Sequence, residues 1–137
     1  MLFRSLDSCE RLFATDQVAI CLVHDDAQVH ARALRGSSIH AMMSVLPQPL
    51  DQSATGRACR ERRAVYIPDA AALPDLPRTI RDAVERIGNY SCVFAPMLWE
   101  QCGIGSICVL RQPPSPFTEK EIALLATFAD QIGRAHV

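Results

Sequence analysis

Between residues 88 and 111 two runs of apolar residues flank the polar break Glu100-Gln101-Cys102-Gly103. The runs are rich in β-branched and aromatic side chains, so the pattern predicts a β-hairpin whose loop is slightly longer than the tightest turns. The second arm, 104–110, is apolar at both alternating sets of positions, which suits a strand covered on both faces. Gly105 interrupts that arm without adding a side chain, as expected where another group approaches the backbone. Pro96 in the first arm leaves one backbone position unpaired, which fits a neighbouring bulge or a sheet margin.

The rest of the chain reads as material packed onto this hairpin. Leu2, Leu6, Cys9 and Phe13 recur at helical spacing, and Phe3 and Leu12 widen the stripe, so the chain opens with an amphipathic helix. Residues 18–23 are apolar throughout, a strand buried on both faces. Asp25 and Asp26 supply turn chemistry, and from Gln28 to Ala33 polar and apolar residues alternate, a second hairpin arm with one wet face. Residues 36–49 are irregular apart from helical turns over 39–45. Ser53 is an N-cap for a short helix ending at Glu61 or Arg62, made slim by Gly56 and Ala58 so that it can dock closely. A strand over 64–67 stops at Pro68, a proline-punctuated loop covers 69–77, and a helix over 78–87 ends near Gly88. After the central hairpin, Pro113, Pro114 and Pro116 stiffen a linker. Thr118-Glu119-Lys120-Glu121 then forms a capping box, with Phe117 and Ile122 as a hydrophobic staple. Ile122, Leu125, Phe128 and Ala129 line one face of the closing helix. Two hairpins, one extra strand and helices at both ends give an α+β domain with an antiparallel sheet. The terminal helices are expected on one face and residues 36–88 on the other.

Length and composition narrow the class. The 137 residues suit one domain, and 49% hydrophobic residues suffice for a core. A formal charge of −1 provides no global field for nucleic acid or an anionic membrane. No apolar run approaches the ~20 residues of a bilayer span, and the opening Met1-Leu2-Phe3-Arg4-Ser5-Leu6 lacks the features of a secretory signal. These points make the cytoplasm the expected compartment. The six cysteines form no C-x-x-C pair and no zinc-like cluster, so they read as reduced, mostly buried small hydrophobes, with Cys102 accessible. Residues 132–137 can be encoded by a common short-read sequencing adapter, so the natural frame is expected to have been cut at Gln131, with a downstream domain lost.

Several segments together resemble a GAF domain. They are Ser53-Ala54-Thr55-Gly56-Arg57-Ala58, Val65-Tyr66-Ile67-Pro68-Asp69, Ser91 with Ala95-Pro96-Met97, Ile104-Gly105-Ser106-Ile107, Pro116-Phe117-Thr118 with Glu121-Ile122, and Phe128-Ala129-Asp130-Gln131. The order and spacing fit across residues 1–131 as a single GAF domain. The resemblance implies an antiparallel sheet of about five to six strands, terminal helices on one face, and a ligand cavity between the other face and the short helices and loops. It also implies membership of a bacterial signalling protein of the sensor histidine kinase or nucleotide cyclase type.

Subfamily chemistry is testable residue by residue. None of the six cysteines is followed by histidine, the pattern of bilin-binding members. Haem would need an axial ligand, for which His40 is better placed than His24 or His30, although an exposed polar role suits all three. The cyclic-nucleotide signature and a phosphate-cradling glycine loop are both absent. Free methionine sulfoxide reductases use GAF cysteines, and Cys59 falls near one such position. The loop expected to carry the partner thiol, residues 69–75, has none, and a lone thiol cannot complete a disulfide-forming cycle. Arg57, Arg60, Arg62 and Arg63 could bind an anion, but a solvated helix face offset by Glu61 explains them.

The sequence therefore points to a non-catalytic sensory module that needs no cofactor. It would bind a small ligand and relay the change through its terminal helices to an output domain in the same full-length chain. Expected pocket residues are Met42, Met43, Ile67, Asp69, Tyr90 and Phe94; the expected assembly is a homodimer through the terminal helices. The alternative is a ligand-free dimerisation and transmission module, which a filled cavity would favour over an open, ligand-sized one.

Overall fold

A computed structural model describes residues 2–73 and 75–135 of the chain, with the side chains of Leu2, Phe3 and Thr79 left out. What was expected of the Leu2 and Phe3 side chains, of Pro74 and of the last two tail residues lies outside the described part. Among the described residues, eleven α-helices and β-strands follow in order: α1 (Leu2–Phe13), β1 (Gln17–Val23), β2 (Gln28–Arg35), α2 (Ser37–Met43), β3 (Gln48–Pro49), α3 (Ala54–Glu61), β4 (Val65–Ile67), α4 (Arg78–Ile87), β5 (Ser91–Trp99), β6 (Cys102–Arg111) and α5 (Glu119–Ala135). The six strands form one antiparallel sheet in the order β3-β2-β1-β6-β5-β4.

β6 lies between β1 and β5, and its residues 105–110 are buried, as expected of a strand covered on both sides. Its alternate side chains feed two separate cores. Cys108 and Leu110 join Cys21, Phe94, Ile39, Met42 and Ile80 in the layer formed with α2, α3 and α4. Ile107 and Val109 join Leu6, Cys9, Phe13, Leu125 and Ala129 in the layer formed with α1 and α5. Arg35 of β2 pairs with Asp7 and reaches Glu10 at 3.5 Å, which fixes α1 over that edge of the sheet.

Gly105 is where β1 comes closest. A Cβ there would run into the Cys21 carbonyl oxygen, with Met97 Cε at 2.7 Å and the Leu22 Cα at 3.1 Å. Gly56 serves the same purpose in α3, where a Cβ would strike the Leu50 carbonyl. The Ser53 hydroxyl caps α3 by accepting from the Gly56 amide at 2.9 Å, and Thr118 and Glu121 complete their reciprocal box at 3.0 and 2.9 Å.

Three local expectations are corrected. The central hairpin closes through two residues, Glu100 and Gln101, with φ of 49° and 66°, rather than a longer loop. Neither is a favoured left-handed residue, but Arg62 donates to the Gln101 side chain at 2.7 Å and helps hold the turn. The regular alternation of β2 breaks, because pairing jumps from Ile20–Ala33 to Cys21–Ala31. That bulge sends Val29 into one core and Ala33 into the other, which a two-residue period cannot anticipate. A second bulge falls at Ile104, between the Leu98–Gly103 and Met97–Gly105 pairs, with Pro96 beside it and beyond the last β4 partner, Phe94. The helical turn expected over 39–45 begins earlier, at Ser37.

Candidate functional site

The space between the sheet and the α2–α4 layer is nearly filled. A cavity of about 30 Å³ remains, walled by Cys21 and Val29 from the sheet, Met42 and Met43 from α2, Ile80 from α4 and Phe94 from β5. That volume holds one or two water molecules at most, against the roughly 300–1,000 Å³ usual for small-molecule sites. Its polar groups are already engaged. Thr55 and Ser106 share a hydrogen bond at 2.8 Å, and Ser53 donates to the Leu50 carbonyl at 2.7 Å. The Cys21 thiol meets the Met43 sulfur at 3.8 Å.

Of the six residues expected at the pocket, the structure brings Met42, Met43 and Phe94 together on this wall. Ile67 is buried in β4 without lining the cavity, and the Tyr90 hydroxyl donates to the Ile80 carbonyl at 2.8 Å, bracing α4. Asp69 does not line the cavity and accepts from Asn89 at 2.7 Å. Sequence reasoning missed Cys21, Val29 and Ile80. β1 is apolar at nearly every position, so its sequence does not mark Cys21 as inward; the bulge in β2 separates the facing of Val29 from that of Ala33, and Ile80 is fixed only once α4 docks.

Outside the cavity, Gln48 and Ser53 also border a surface groove of about 510 Å³. It carries Arg57, Arg60 and Arg78 beside Asp51, Asp75 and Asp82, so its charges balance. Arg57 is held by Glu61 at 3.1 Å and Arg78 by Asp82 at 3.6 Å. The arginine cluster is thus a solvated, partly paired helix face.

Four of the six thiols are poor nucleophiles as placed. Burial pushes Cys9 and Cys21 up to about 12 and holds Cys108 well above its ordinary range, so these thiols stay protonated. Cys59 is half-buried, donates to the Gly105 carbonyl at 3.6 Å, and is also raised, chiefly by burial. Cys102 is exposed and shares a surface groove with Cys59; both are free thiols. His40 is exposed and bonds the Gly36 carbonyl at 2.9 Å, away from the cavity wall. His24 and His30 stack at 3.8 Å across the first turn, where His30 meets Asp26 at 3.1 Å. Among the described residues no group of three or more potential metal ligands converges.

Comparison with known proteins agrees with this architecture. A family model described as GAF domain matches residues 1–136. The fold is similar to that of a domain assigned to a two-component sensor histidine kinase protein of Sinorhizobium meliloti, at 18% identity, TM-score 0.77, and coverage of 98% of this chain and 88% of that one. It is likewise similar to a GAF domain/HD domain protein of Geobacter sulfurreducens, at 16% identity, TM-score 0.79, and coverage of 98% and 88%. A third similar structure is a far-red-absorbing dark state with bound biliverdin IXa, at 18% identity, TM-score 0.73, and coverage of 96% and 84%. A search of curated proteins finds no significant match.

Proposed function

From the premise that this chain belongs to the GAF domain family, we propose that it is a non-catalytic regulatory module of a signalling protein that works without a resident ligand. It passes rearrangements of the α2–α4 layer to α1 and α5, and through them to an output domain in the same full-length protein. The observation that carries this reading is the 30 Å³ cavity, whose polar neighbours are already paired. Such a core transmits by repacking, because close-packed layers shift between discrete arrangements. Association of two copies through the terminal helices belongs to the same proposal; Leu12 and Leu124 are 47% and 43% exposed on them. No described helix is long and apolar enough to cross a membrane.

A second reading, binding of a small ligand against Met42, Met43 and Phe94, is favoured by one feature. Gln48 and Ser53 are common to the cavity wall and the outer groove, so a ligand would enter there as the unbranched methionines repack. A bilin does not fit the residues present: the cavity is small, and no cysteine is followed by histidine.

Native mass spectrometry of the purified protein separates the two readings. The expected result is the mass of the polypeptide alone in each protomer. A small molecule retained at one copy per protomer would overturn the ligand-free reading in favour of the second.

A further inference from the structure

We propose that two adjacent residues at the end of β6, Arg111 and Gln112, form the joint through which the α2–α4 layer and the terminal helices move together. This inference rests on the transmission reading above and gives it a place in the molecule. Successive side chains on a strand point to opposite faces, so neighbours at the end of a central strand can reach both layers. Here each reaches the ends of two helices.

Gln112 serves the cavity layer. Its carbonyl oxygen accepts from the Ser38 hydroxyl at 2.7 Å, at the start of α2. Its amide nitrogen donates to the Ile87 carbonyl, at the end of α4, and to the Asn89 carbonyl at 3.3 Å. The other end of α2 is tied to the same end of α4, where Arg86, next to Ile87, donates to the Ser44 hydroxyl at 2.9 Å. Both ends of α2 are therefore tied to the C-terminal end of α4, through Gln112 at Ser38 and directly at Ser44. α3, by contrast, is pinned separately to β6 by the Thr55–Ser106 and Cys59–Gly105 contacts.

Arg111 serves the other layer. One guanidinium nitrogen donates to the Phe13 carbonyl at 2.8 Å, at the end of α1, and to Glu121 at 2.6 Å, in the first turn of α5. The other donates to the Pro116 carbonyl at 2.6 Å, and the guanidinium lies 4.0 Å from the Phe117 ring centroid. Four helix ends thus meet two consecutive residues. A displacement of α2 and α4 moves Gln112, and the peptide that joins it to Arg111 carries that movement to the α1 and α5 ends.

Hydrogen exchange on the purified protein tests the joint with Gln112→Ala and the milder Ser38→Ala, which removes a single exposed partner. Exchange protection is expected to fall in the end turns of α2 and α4 and also at the end of α1 and the first turns of α5. The fall for Gln112→Ala should be about five- to tenfold, the factor that one net hydrogen bond represents. Ser38→Ala should give a smaller fall with the same distribution, and amides in the middle of β1 and β6 should keep their wild-type protection. Loss confined to α2 and α4 in either variant would overturn the joint. If Gln112→Ala fails to fold, Ser38→Ala decides alone. A resident ligand found by mass spectrometry would remove the ligand-free reading and leave this exchange pattern unchanged, so the two can fail separately.

Discussion

Gly105→Ala is expected to lower stability by about 2–4 kcal/mol, since overpacking a close-packed core costs about 1–3 kcal/mol and occasionally more. The expectation covers the upper part of that range and extends above it because the obstructing atom is the Cys21 carbonyl oxygen, which belongs to the backbone of β1 and cannot rotate away. Relief would require β1 and β6 to separate at the Leu22–Gly105 and Cys21–Ser106 pairs, in the middle of the sheet. Met97 Cε, at 2.7 Å, could yield by changing rotamer, but the carbonyl could not. Thermal unfolding should show a drop of roughly 10 °C or more at this chain length. A melting temperature within about 2 °C of wild type would mean that the two strands do not approach as described.

Arg111→Ala carries the other large effect. Its side chain is 14% exposed and holds a 2.6 Å ion pair, two backbone carbonyls and an aromatic face. Truncation leaves Glu121 and the Phe13 and Pro116 carbonyls without this donor. Breaking a fully buried pair costs about 3–5 kcal/mol, and the partial exposure here brings the expectation to about 2–4 kcal/mol. The effect should depend on pH. The Arg111 hydrogen bond, helped by the Thr118 amide, holds the Glu121 carboxyl below its ordinary range. A depressed carboxyl contributes stability that is fully present above its unfolded pKa, roughly 4.3, and is lost as pH falls through the lower folded value. Urea unfolding should therefore show a large difference between wild type and Arg111→Ala at pH 7, shrinking as pH falls through about 4 and below. A difference that stays constant across that range would mean that the pair contributes nothing.

Much of the architecture was legible in the sequence because its signals are local. The capping box at Thr118 and Glu121, the Ser53 cap and the two-faced apolarity of residues 104–110 each specify their own element, and each appears as expected. What was not legible depends on partners distant in the chain. The bulges opposite Cys21 and Met97 change which way side chains face, yet each is set by pairing rather than by the bulged residues themselves. The tight Glu100–Gln101 turn depends on Arg62, which lies 39 positions away. The cavity wall shows the same division. The positions of Met42, Met43 and Phe94 follow from their place in the order of elements, whereas Cys21, Val29 and Ile80 join them only through docking. Arg111 and Gln112 looked like the unremarkable end of a strand, because what they bind lies between 5 and 98 positions away.

The central claim is that repacking inside the α2–α4 layer reaches the terminal helices. Amide NMR on the purified Met43→Leu variant tests it most directly, since this change alters the cavity wall without touching α1, α5 or the end of β6. Chemical-shift changes are predicted at Ser38, at Arg111 and Gln112, and in the first turn of α5 around Ile122. Changes confined to α2, α4 and the facing residues of β1 and β5, with α5 unmoved, would contradict the account.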